Sequence, residues 1–240
     1  MARNLFVLNP EASKRLIGRG VVQYEPFRRA LKNGTVVIVA GSTNGWIAEA
    51  LLGKDFPRRD FLRGYLGPSF EKGPFPGDVV LRRGVWDRGR QIFDVVGELG
   101  PEDLILKGAN AVNPALGQAA VLVADPRGGT VLRALEALFG RRTRILVPVG
   151  LEKSVTEDLF QLSRYVNLSS EPSWRLVPLA ADIFTELEAF KVLWGLEARH
   201  VAAGGIAGGE GSVVLLVEGP REQLEEARRT VEECGGYAGA

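Results

Sequence analysis

Hydrophobic positions along the chain follow two periods. Residues 35–40 form an unbroken apolar, β-branched run that stops at Gly41. Ser42, Thr43 and Asn44 follow, and apolar residues then recur at helical spacing as far as Leu52, with Gly53 as the C-cap. Similar runs at 104–107, 120–123 and 144–147 each enter a turn rich in Gly, Asn or Pro. The last two lead into amphipathic helices, one carrying Leu132, Leu135, Leu138 and Phe139 and one running to Arg164. Continuous apolar strands alternating with amphipathic helices predict a mostly parallel sheet with helices on both faces. Ligands of such sheets bind beyond the carboxyl ends of the strands. Four turns are expected on that edge, at 41–44, 107–113, 125–130 and 150–153, and together they would enclose one pocket.

The remaining segments are read by the same rules. Residues up to Asn33 read as one or two short helices with Phe27, Ala30 and Leu31 on the apolar face. The segment 54–77 holds four prolines and five aromatics without periodicity, which predicts a functional loop or a cover over the pocket. A hairpin is expected at 79–86 and a short helix at 91–99. The last third reads as a strand at 175–179, a helix at 181–195, strands at 198–203 and 212–217, and a helix at 220–234. That β-α-β-β-α order predicts a ferredoxin-like α+β module with one strand missing or supplied elsewhere. The boundary is placed near 169–173, giving a ligand-binding domain at 1–170 and the α+β module at 171–240.

Composition narrows the partners. A net charge of +1 provides no global field for nucleic acid, and Arg58-Arg59, Arg82-Arg83 and Arg141-Arg142 are short local pairs. No apolar run approaches a membrane span, and no secretory signal pattern stands at the start, so a cytoplasmic protein is expected. Cys234 is the single cysteine, which rules out an internal disulfide. No metal-ligand spacing and no cofactor motif is present. Arginine outnumbers lysine while Cys, Met and His are scarce, which fits a thermophile or a GC-rich genome. A homo-oligomer assembled through the α+β module is a further expectation.

Each candidate residue has a structural and a chemical reading. Gly41, Ser42, Thr43 and Asn44 form either an ordinary helix N-cap or an anion contact made of free amides and a positive helix end. Gly128, Gly129 and Thr130 are likewise cap or cradle. Lys107 is a snorkelling strand end or the counter-charge of a ligand. Asn110 and Asn113 are turn formers or ligand contacts, and Gly108 lies between them and Lys107. Glu152 and Lys153 are an exposed helix start or a carboxylate–ammonium pair at the pocket. Asp125 starts a turn or acts as a general base. His200 is read as structural.

These motifs carry a resemblance. The run from Leu106 to Pro114, with Gly108, Ala109 and Asn110 at its centre, resembles the Gly-Ala-Asp-Glu motif of ribose-5-phosphate isomerases. Gly41, Ser42 and Thr43 are similar to the phosphate turn of the same superfamily, which also holds glucosamine-6-phosphate deaminases, CoA transferases and sugar-phosphate-responsive repressor domains. The resemblance implies a Rossmann-like sheet for the first domain and a phosphorylated or CoA-type ligand. The family's acidic residues fall on Lys107, Asn110, Ala111 and Asn113, and an amide cannot move the proton of an enediol mechanism. The Gly-Ala-Asn form is closer to the repressor domains, which bind without turnover, and to a prokaryotic family with no assigned activity. Binding of a small anionic ligand without isomerase chemistry is therefore expected. The alternative is an isomerase-, deaminase- or CoA-transferase-type enzyme using Glu152 or Asp125.

Overall fold

Thr35–Ile38 alternates between two buried faces. Val36 and Ile38 enter one apolar cluster and Val37 enters another, which is why the run carries no polar position. Burying each such side chain on both sides of a sheet contributes about 1.5–3 kcal/mol. In a computed structural model that describes residues 1–63, 74, 75, 77–168 and 174–239, this strand lies inside a six-stranded sheet.

The elements in chain order begin with β1 (Ala2–Leu8), α1 (Pro10–Gln23), α2 (Glu25–Asn33), β2 (Thr35–Ile38) and α3 (Ser42–Leu52). β3 (Val79–Arg82), β4 (Val85–Trp86), α4 (Ile92–Val95), β5 (Leu104–Leu106), β6 (Ala111–Asn113) and β7 (Gln118–Val123) follow. α5 (Gly129–Arg141), β8 (Arg144–Pro148), α6 (Leu159–Leu168), β9 (Arg175–Leu179) and β10 (Asp182–Phe184) come next. The chain closes with α7 (Glu186–Trp194), β11 (Glu197–Ala203), β12 (Val213–Gly219), α8 (Arg221–Glu233) and β13 (Tyr237–Gly239).

The large sheet has the order β10-β8-β5-β2-β3-β4. Its first four strands are parallel, and β3 and β4 add antiparallel at one edge. On one face lie Leu16, Ile17 and Val21 of α1, Ile47 of α3 and Phe190 of α7. On the other lie Ile92 and Val95 of α4, Val131, Ala134 and Ala137 of α5, and Val121 and Val123 of β7. The protein is thus α/β, with a mixed, mostly parallel sheet between two apolar layers. Among the described residues no helix is long and apolar enough to cross a membrane.

Three expectations are corrected. Residues 2–8, expected within a helical N-terminus, form a strand inside an antiparallel sheet of order β11-β12-β1-β13. Its partners lie some two hundred residues away in sequence, so no local pattern announces them. Phe6 and Leu8 reach the same core as Val213, Leu215 and Val217. The helix expected from 181 begins at Glu186 instead, because the Thr185 side chain and Glu188 close a capping box there. That releases 182–184 to pair parallel with β8. Finally, residues 118–123 do not join the parallel sheet. They centre a three-stranded antiparallel sheet, β6-β7-β9, because only four residues separate β6 from β7. A turn that short makes a hairpin and cannot carry a parallel crossover. The expected boundary at 169–173 and part of the proposed cover, 64–73 and 76, lie outside the described residues.

Candidate functional site

The carboxyl ends of β2, β5 and β8 lie side by side, and the connections leaving them diverge. α3 leaves β2 for one face of the sheet, while the chain after β5 leaves for the other, where α5 packs. A crevice opens wherever neighbouring connections part in this way. A cavity of about 860 Å³ occupies it.

Its first wall is the turn after β2. Gly41, Ser42, Thr43 and Asn44 line the cavity. No side chain caps α3 among the described residues, and its first hydrogen bond runs from the Gly45 amide to the Gly41 carbonyl at 2.7 Å. The amides of 42–44 are therefore left uncommitted at the positive end of the helix. Asn44 locks this turn to its neighbour: its Nδ2 donates to the carbonyls of Val39 at 2.7 Å and Leu106 at 3.1 Å. Its Oδ1 is buried and has no hydrogen-bond partner among the described residues.

The second wall is the start of α5, where Gly128, Gly129 and Thr130 also line the cavity. Gly128 and Gly129 have φ of 76° and 52°, a left-handed backbone that favours glycine. A Cβ at Gly128 would overlap the Leu132 side chain. No side chain caps this helix either, and its first hydrogen bond joins the Leu132 amide to the Gly128 carbonyl. Asp125 shapes the approach. Its Oδ1 accepts the Arg127 amide at 2.8 Å and its carbonyl accepts the Gly128 amide at 2.8 Å, so it works as the turn former.

Lys107, Gly108 and Asn110 form the floor between these walls. The Lys107 amide continues the β5–β8 ladder by donating to the Leu146 carbonyl. Its ammonium has no hydrogen bond or ion pair among the described residues, and its pKa is lowered from 10.5 to about 8. Burial is the main cause, with Arg63 and Lys153 acting in the same direction and Asp78 opposing them. Lys153, which also lines the cavity, donates to the Ala109 carbonyl at 2.9 Å and so ties the β8 turn to the β5 turn. Burial lowers its pKa as well. Asn110 is committed to structure: its Oδ1 accepts the Leu122 amide. Asn113 lies in the β6–β7 hairpin, where its side chain binds the carbonyls of Thr156 and Glu157.

The cavity thus gathers every candidate of the first three turns except Asn113, together with Lys153. Glu152 and His200 do not line it. Glu152 folds back beside Gly150, with its Oε2 buried and unpartnered among the described residues. Four contributors carried no signal in the sequence. Arg63 lines the cavity from a segment without periodicity, and its guanidinium stacks over Phe75 and Phe93 while donating to Gln91 at 2.6 Å. Phe93 and Trp174 add aromatic surface. Asp78, fully buried, accepts the amides of Ala40 and Ile92 at 3.0 Å each and sits 3.4 Å from Arg63. It fixes the start of the Gly41 turn. Among the described residues no three His, Cys, Asp or Glu side chains gather as a metal site.

No family model, curated protein or solved structure matches the chain. The chemistry of the cavity therefore rests on its own residues.

Behind the β8 turn lies a second buried carboxylate. Glu186, fully buried, accepts the Leu151 amide on both oxygens at 3.0 and 3.2 Å. Burial pushes its pKa from 4.5 up to about 7, with the Ser13 side chain and the Leu151 amide opposing and Glu152 adding to the rise. Raised above its unfolded value, this group favours folding most below pH 4.5, and that contribution is lost as pH climbs through about 7. The loss amounts to about 3 kcal/mol. Glu186→Gln is expected to flatten the urea-denaturation stability profile across that window and to exceed the natural protein in stability at pH 8. An unchanged slope would contradict the assignment.

Proposed function

We propose that the cavity binds a small phosphate-bearing molecule, of sugar-phosphate or CoA type, without isomerase chemistry. One observation carries this reading: two uncapped helix N-termini and the Lys107 and Lys153 ammonium groups line a single cavity. Either helix end alone would be an ordinary cap. Together they supply two rows of uncommitted amides and fixed positive charge, the ingredients of a phosphate site. The aromatic and aliphatic wall made by Leu62, Phe93, Val121 and Trp174 suits an apolar or flat portion of the same ligand.

The order of elements is consistent with a Rossmann-like unit at the large sheet. The β11-β12-β1-β13 order, with α7 before β11 and α8 between β12 and β13, supports the ferredoxin-like reading, in which the N-terminal strand would take the place of the missing one.

A second reading keeps turnover, because Asp125 lines the cavity. Its carboxylate is already spent on a turn amide and lies near the Arg127 guanidinium, which favours binding over proton transfer. Calorimetric titration with ribose 5-phosphate, coenzyme A and inorganic phosphate tests the first reading, and at least one is expected to bind. No heat with any of them would overturn it. An isomerase assay on ribose 5-phosphate tests the second, and turnover abolished by Asp125→Asn would establish it.

A further inference from the structure

We propose that Lys107 is a carbonyl-reactive amine that forms an imine with an aldehyde or ketone on a phosphate-bearing ligand. This rests on the anion-binding reading above and adds a class of chemistry to it. Among the described residues three cations line the cavity, and two are already employed. Lys153 holds the Ala109 carbonyl, and Arg63 holds Gln91 and Asp78. Only Lys107 ends in the cavity with no acceptor among the described residues. Asp78, the carboxylate that raises the Lys107 pKa, is held by two backbone amides and Arg63 and makes no ion pair with Lys107 among the described residues.

This environment also favours the neutral amine that imine chemistry needs. Burial and the charges of Arg63 and Lys153 lower the Lys107 pKa, Asp78 raises it, and the balance lies at about 8. Roughly one chain in ten then carries the free amine at pH 7, far more than an ordinary lysine allows. The two amide rows position a phosphate beside it, leaving the carbonyl end of a short ligand within the same cavity. Asn44 Oδ1, buried and unpartnered, is an acceptor for a hydroxyl on that ligand or on the carbinolamine.

The neutral Nζ attacks the carbonyl carbon and forms the C–N bond of a carbinolamine. The carbonyl oxygen then departs as water, carrying both hydrogens of the amine, and leaves the C=N bond. No oxidant or reductant takes part.

The test uses D-glyceraldehyde 3-phosphate as the probe, sodium borohydride to reduce any imine, and peptide mapping by mass spectrometry. One adduct per chain is expected on Lys107, ahead of the other six lysines and the amino terminus. Its rate should rise with pH through about 8 and fall when inorganic phosphate is added. Lys107→Arg keeps a positive charge but cannot form an imine, so the adduct should be lost. An adduct spread over surface lysines, or none, in a protein that still binds phosphate would overturn the imine and leave anion binding standing. Absence of phosphate binding to the natural chain would instead remove the reading beneath it.

Discussion

Lys107→Met is expected to make the protein more stable and a worse binder. A charge-assisted contact to phosphate contributes about 2 kcal/mol, so its loss should raise Kd roughly 30-fold. The ligand-free protein should move the other way. The pKa of Lys107 is lowered in the fold, so its protonated form is disfavoured there. That penalty is present in full below pH 8, shrinks as pH rises, and vanishes above the unfolded value of 10.5. Replacing the ammonium by an apolar chain of similar length should therefore gain on the order of 1–3 kcal/mol at pH 7, allowing for solvent in the cavity. Urea denaturation at pH 7 and at pH 10 checks both the sign and its pH dependence. Opposite movement of stability and affinity marks a residue kept for binding, and a surface lysine would show neither change. A variant less stable at pH 7 would show that Lys107 has a partner in the fold.

Asp78→Ala should be the most damaging single change at the site, costing about 3–5 kcal/mol in urea denaturation. The substitution leaves the Ala40 and Ile92 amides without an acceptor in a buried place and removes the anion beside Arg63. It also frees the start of the Gly41 turn, so anion binding should weaken in parallel. Asp78→Asn keeps one acceptor oxygen and the shape, and should cost less than half as much. Equal stability of Asp78→Ala and the natural protein would refute the role assigned to it.

Much of the fold was legible because it is locally encoded. β2, β5 and β8 announce themselves as unbroken apolar runs buried on both faces, and Gly41 and Gly128 mark the turns that follow β2 and β7. The turns that line the cavity were readable for the same reason, since uncommitted helix starts and left-handed glycines leave a compositional trace. What escaped depends on distant partners. The ladder of β1 is made with residues 213–219 and 237–239. β10 was absorbed into the apolar spacing of α7, although Thr185 and Glu188 carry the capping signal that separates them. β7 looks like any buried strand, and only the short hairpin from β6 shows that it pairs antiparallel. Asp78 and Glu186 are single acidic residues beside apolar runs, and nothing in their spacing says that backbone amides surround them.

The residues of 107–113 have divided duties. Asn110 and Asn113 hold hairpin and turn together, whereas Lys107 keeps its ammonium in the cavity without an acceptor among the described residues.

The most direct measurement is diffraction from crystals of the full chain soaked in inorganic phosphate. Density for the ion is expected in the cavity, in contact with the amides of 42–44 or 129–131 and with the Lys107 ammonium. An empty cavity, or phosphate bound only at surface arginines, would contradict anion binding at this edge of the sheet.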